Sequence, residues 1–188
     1  MGFFDAPAPR DPNHQQGRWD TDEGPWQRWQ TVLPETVGLR LVIARTAAAV
    51  VAVTGLQVFP DGFVMTFTAV WRPAVGRRIH RAADAAWLGA AALPEEVLRL
   101  GVQFADDSKA TNLDDERQTP ASSAGPVMIG DGATGDSHRL ESRYCVLPLP
   151  PAGALTFVCQ WPVFGIPETH ASLDATLIRD AATRAIGL

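Results

Sequence analysis

Residues 144–161, YCVLPLPPAGALTFVCQW, decide the fold class, because they read as two apolar strands joined by a Pro150-Pro151-Ala152-Gly153 turn. Folded as a hairpin, this stretch sets Cys145 opposite Cys159, Leu147 opposite Phe157 and Leu149 opposite Leu155. Side chains alternate between faces along a strand. The six residues therefore share one face with Trp161, while Val146, Thr156, Val158 and Gln160 take the other. A shift of one residue would scatter the apolar set.

Upstream, Val50, Val51, Val53, Leu56 and Val58 lead into Phe59-Pro60-Asp61-Gly62, a turn signal with a glycine free to take positive φ. Phe63, Met65, Phe67, Ala69 and Trp71 then recur at period two, which predicts a strand. A two-residue and a three-residue turn give different registers for this hairpin, and both fit the sequence. Val97–Phe104 and a short strand around Lys109 predict a second hairpin. Val127–Ile129 predicts a short strand, Gly130–Asp136 a loop, and Thr169–Leu173 a last strand. Asp174 stands where a helix N-cap belongs, ahead of a stripe of Leu177, Ile178, Ala181, Ala182, Ala185 and Ile186. Residues 73–96 hold a basic run followed by an alanine-rich helical pattern.

Short strands between turn clusters, without alternating helices, predict an all-β antiparallel sandwich with a C-terminal α-helix. Immunoglobulin-like topology is one of the arrangements that fit. The Cys–Trp–Cys signature across two sheets is missing, since both cysteines are expected within one hairpin. The expected organisation is a flexible tryptophan-containing tail over 1–30 and a sandwich domain with its terminal helix over 31–188.

Composition narrows the function classes. The chain has 188 residues, 46% of them hydrophobic, and six tryptophans, enough for one sizeable core. A net charge of −5 argues against general nucleic-acid affinity, which requires a basic surface. The opening MGFFDAPAPRDPNHQQ lacks the basic start and apolar run of a secretory signal. The longest apolar stretch, Thr46–Leu56, is 11 residues, against about 18 for a bilayer-spanning helix. A soluble, cytoplasmic protein is expected, with both cysteines as thiols.

Three segments, LRLGVQFADDSKATNLD (98–114), VLPLPPAGALTFVCQWPVFGIPET (146–169) and LDATLIRDAATRA (173–185), resemble an uncharacterised family of actinobacterial β-rich proteins. The resemblance spans roughly residues 46–186. It implies an intracellular β-rich protein and assigns no activity, cofactor or catalytic residue.

The chemistry-bearing residues point to binding rather than catalysis. Trp19, Trp26 and Trp29 fall within eleven residues of the tail, where water is a poor environment for them. They either dock on the chain's own sandwich, through a short helix near Pro25–Gln30, or form a partner-binding motif. Arg72, Arg77, Arg78, His80 and Arg81 make a basic patch suited to carboxylates or phosphates, or a solvated loop complementing the acidic segment 106–116. Asp106, Asp107, Asp114, Asp115 and Glu116, with Asp131 and Asp136, offer hard-cation oxygens but lack EF-hand spacing. The histidines have no zinc-binding spacing, and no GxSxG or phosphate-loop motif occurs. Cys145 and Cys159 fit either two buried thiols or a strained cross-strand disulfide.

The resulting expectation is a non-enzymatic cytoplasmic protein-interaction or scaffolding module. No cofactor or metal is assigned, and a protein partner is expected through Trp19, Trp26, Trp29, Arg72, Arg77, Arg78 and Arg81. The alternative is a small-ligand or metal-ion binding β-sandwich using the acidic loops 106–116 and 130–136.

Overall fold

A computed structural model describes residues 2–4, 25–72, 93–114 and 125–188. Its strands are β1 (Val32–Leu33), β2 (Glu35–Arg45), β3 (Ala49–Phe59), β4 (Gly62–Trp71), β5 (Arg99–Gln103) and β6 (Lys109–Thr111). There follow β7 (Val127–Gly135), β8 (Arg139–Leu147), β9 (Ala154–Trp161), β10 (Ile166–Asp174) and β11 (Ile186–Gly187). A 3-10 helix, Pro25–Thr31, precedes β1, and one α-helix, α1 (Thr176–Ala182), follows β10.

The strands form an antiparallel sandwich. One sheet has the order β2-β3-β4-β8-β7, the other β10-β9-β5-β6, and β1 pairs with β11 in a small ribbon. The period-two run of β4 decides which face turns inward: Phe63, Met65, Phe67, Ala69 and Trp71 are all buried between the sheets. Leu155, Phe157, Cys159 and Trp161 of β9 meet them, with Leu100 and Val102 of β5 alongside. Ile178, Ala181 and Ala182 of α1 join the same core. The β3–β4 hairpin has the two-residue turn, Pro60–Asp61, with Phe59 opposite Gly62. A side chain at Gly62 has no room, since its Cβ would lie 2.6 Å from the Val146 carbonyl and 2.8 Å from the Trp29 ring.

The 144–161 segment is not a hairpin. Its arms lie in different sheets: β8 pairs with β4 and β7, and β9 pairs with β5 and β10. Pro148, Pro150 and Pro151 lack the N–H groups that a ladder needs, and the chain crosses from one sheet to the other there. The β9 half of the reading holds. In β8 the faces are reversed, with Val146 in the inter-sheet core and Cys145 on the outer face with Trp29, Phe59 and Val64. Cys145 therefore opposes Val64 and Ile129 rather than Cys159. Neither cysteine is joined in a disulfide.

Other expectations change as well. Gly130–Gly135 continues β7 beyond the expected strand, with a register shift between Gly130 and Gly132. Helix α1 ends at Ala182, and Ile186 pairs in β11 instead of extending the helical stripe. Strand β2 was not anticipated, although Val37, Leu39 and Leu41 alternate with Thr36, Gly38 and Arg40. The N-cap is Ala175 rather than Asp174, which ends β10 and accepts a hydrogen bond from the Thr176 amide at 2.8 Å. That bond holds its carboxyl below the usual carboxylate range. The alanine-rich helix expected to end before Pro94, from Arg81 onward, lies outside the described residues up to position 92.

Burial between the sheets pushes the Cys159 thiol from its ordinary value of 9.0 up to about 12. An unfolded chain releases this proton near pH 9 while the folded chain retains it, so stability falls as pH rises between the two values. The slope is about 1.4 kcal/mol per pH unit from this group. Denaturant titrations at pH 8 and pH 10 should show that loss in the native sequence, and Cys159→Ala should remove most of it.

Candidate interaction surface

The outer face of the four-stranded sheet carries a short segment of the chain's own beginning. Gly101 of β5 and Val158 of β9 are directly paired, and on this face they form a shallow floor. Phe3 lies over it: a Cβ on Gly101 would come within 2.4 Å of Phe3 Cε1. Phe3 and Phe4 are both buried, in a cluster with Val97, Leu113 and Val158, and Leu93 packs against them. Their rings meet edge to face at 5.0 Å. The His170 ring of β10 stands perpendicular to Phe3 at 6.3 Å.

Charged side chains hold the backbone of this segment. The Phe3 amide donates to Glu168 Oε2 at 2.6 Å, and Lys109 Nζ donates to the Phe3 carbonyl at 2.8 Å. The same ammonium sits 4.9 Å from the Phe3 ring centroid, a cation–π distance. Glu168 also accepts from or pairs with His170 at 3.2 Å. Burying two phenylalanines contributes about 3–6 kcal/mol, and ordering three residues opposes it by about 3–6 kcal/mol. The two rim hydrogen bonds, each to a charged group and contributing about 1.5–3 kcal/mol, therefore decide that the segment docks. Such a balance leaves the docked state favoured by only a few kcal/mol.

Trp29 is also accounted for by packing. It lies on the outer face of the five-stranded sheet, stacked on Phe59 at 4.2 Å with the rings 7° from parallel. Its Nε1 donates to Asp61 Oδ1 at 2.6 Å. The short helix expected near Pro25–Gln30 is present as the 3-10 helix, and Trp29 docks it on the sandwich. Arg72 is exposed at the end of β4, its amide bonded to the Ala48 carbonyl. Trp19, Arg77, Arg78, His80 and Arg81 lie outside the described residues, as does the side chain of Trp26. The Phe3–Phe4 groove was missed from sequence; two adjacent phenylalanines in an otherwise polar stretch were the available signal.

The acidic loops act locally. Asp106 accepts from the Ser108 amide at 3.1 Å and is also bonded by the Ser108 hydroxyl; these bonds lower its pKa. Asp136 accepts from the His138 and Arg139 amides, which lowers its pKa too. Asp114 caps the Thr111 amide at 2.6 Å, and Asp131 pairs with Arg143 at 2.8 Å. Asp107, at φ 67°, accepts from Gln103. Asp106, Asp107, Asp114 and Asp136 thus serve their own turns, and Asp131 pairs with the neighbouring strand β8. Among the described residues, no three His, Cys, Asp or Glu side chains converge as metal ligands. Asp115 and Glu116 lie outside the described residues. Also among the described residues, no helix is long and apolar enough to cross a membrane. No family model, curated protein or solved structure matches the chain.

Proposed function

We propose that this chain is a cytoplasmic protein-interaction or scaffolding module built on an immunoglobulin-like sandwich. The observation that carries the reading is the groove over Gly101, where an anion and a cation engage both backbone polar groups of a docked aromatic residue. Backbone engagement combined with an aromatic pocket is a recurring mode of peptide recognition. The ladder order supports the fold assignment. Strands β3-β4-β8-β7 take the places of A-B-E-D, and β6-β5-β9-β10 those of C′-C-F-G. The fold itself does not specify a partner. A second contact region in this reading starts at Arg72, beside half-exposed Val70, where the segment bearing Arg77, Arg78 and Arg81 leaves β4.

A photo-crosslinker placed at Gln103, on the outer face of the four-stranded sheet, tests the module in its host cell. The expected result is an adduct with a protein of defined mass, absent when the crosslinker is placed at Thr54 on the opposite outer face. Absence of protein adducts from both positions, in the native sequence and in a chain carrying Phe3→Ser and Phe4→Ser, would reject the interaction reading. An adduct from Thr54 alone would reject the choice of face.

A further inference from the structure

Lys109 is the only lysine in a chain with 15 arginines, and it stands at the groove with its ammonium on the Phe3 carbonyl and ring. A compact ammonium fits beside a ring and a single carbonyl, where a planar guanidinium fork suits bidentate acceptors. Glu168 approaches the Phe3 amide from β10, and Lys109 approaches the carbonyl from β6, the two edge strands of the same sheet. The groove is therefore bounded by opposite charges with a glycine-floored notch between them. The inter-sheet core lies on the other side of β5 and β9, where Leu100, Val102, Phe157 and Cys159 point. Closing that core does not require the groove to be filled.

The occupant is joined to the domain from an unexpected side. Phe3 and Phe4 dock on the four-stranded sheet, whereas the next described element, the Pro25–Thr31 helix, places Trp29 on the outer face of the five-stranded sheet. Twenty residues, 5–24, separate the two. A covalent connection raises the local concentration of the segment at its groove, so weak docking suffices to occupy it. The contacts to the backbone would accept any peptide, while the notch over Gly101 and the Val97–Leu113 cluster select aromatic rings.

Resting on the protein-interaction reading, we propose that this groove recognises a partner segment with two adjacent aromatic residues, and that residues 2–4 occupy it as a built-in competitor. The partner must displace Phe3 and Phe4, so binding is held in check until the segment leaves.

The test uses the full chain with Phe3→Ser and Phe4→Ser, which opens the groove, and an acetylated Gly-Phe-Phe-Asp amide peptide as the probe. Reductive ¹³C-methylation of Lys109 provides an NMR signal at the groove, and fluorescence anisotropy gives affinity. The peptide should bind the opened variant at least tenfold more tightly than the native sequence and shift the Lys109 signal. Adding Lys109→Ala to the opened variant should weaken binding severalfold, and adding Gly101→Ala should abolish it. Near-UV circular dichroism identifies any variant that fails to fold, and Glu168→Gln replaces Gly101→Ala in that case, with severalfold weakening expected. Equal binding to opened and native chains, or binding that leaves the Lys109 signal unmoved, would overturn the proposal. So would a native dimer in which Phe3 of one copy fills the groove of the other. These outcomes concern the aromatic peptide and the groove, whereas the crosslinking result concerns whether any protein partner exists.

Discussion

Replacing Trp161 with alanine is expected to destabilise the protein by about 3–5 kcal/mol. Trp161 is fully buried and forms the centre of an aromatic cluster, edge to face with Trp71 at 5.4 Å and with Phe164 at 4.4 Å. Its Nε1 donates to the Glu96 carbonyl at 3.1 Å. The side chain thus joins the end of β9 to the inner face of β4 and to the segment entering β5. Truncation removes ring contacts from both sheets and leaves the Glu96 carbonyl without this donor. For a chain of this length the expected fall in Tm is about 10 °C, at about 2–4 °C per kcal/mol. Trp161→Phe keeps most of the volume and loses the donor, so it should cost about 1–3 kcal/mol. Urea unfolding with an unchanged slope would measure both. A loss below 1 kcal/mol for Trp161→Ala would mean that the sandwich core closes without this cluster.

The same region shows which parts of the fold were legible in the sequence. The β4 alternation was decisive because Phe63, Met65, Phe67, Ala69 and Trp71 form an unbroken apolar set on one face, with no competing assignment of similar strength. The β9 faces were assigned correctly on the same ground. In β8 the alternation could not choose, because both faces are covered. Val146 meets the inter-sheet core, while Cys145 and Leu147 meet the Trp29 layer outside. A strand buried on both sides reads as a continuous apolar run, and any register looks self-consistent. The three prolines between Leu147 and Ala152 were the better guide, since a ladder cannot pass through them.

Site residues were harder to read for a related reason. Trp29 was noticed because tryptophan is rare and bulky, and its packing alternative was the one observed. The Phe3–Phe4 groove depends on Gly101, Glu168 and Lys109 meeting from β5, β10 and β6, and no local pattern in the chain announces that meeting. The aspartates stood out by density, yet each one among the described residues serves a nearby turn or pairs with the neighbouring strand, a use that spacing alone does not separate from cation binding.

Trp29→Ala is expected to lower stability by about 3 kcal/mol and to make one cysteine reactive in the folded protein. The indole belongs to the same outer-face cluster as Cys145, Phe59 and Val64. It is fixed there by the Phe59 stack and the Asp61 hydrogen bond. Cys159 lies on the inner side of the other sheet, fully buried, with its thiol pushed up to about 12. In the native sequence neither thiol should react with Ellman reagent until unfolding, because the thiolate and an open path to it are both needed. Removing the indole opens the outer layer over Cys145 and leaves the inter-sheet core closed. One thiol per chain should then react under native conditions at least tenfold faster than in the parent, and Cys145→Ser in the Trp29→Ala background should eliminate it. Cys159 serves as an internal monitor, since any reaction through global unfolding modifies both thiols together. Simultaneous reaction of the two would show that the Pro25–Thr31 helix is needed for the sandwich to persist. Continued protection of both would show that Cys145 is shielded by Phe59 and Val64 without the indole.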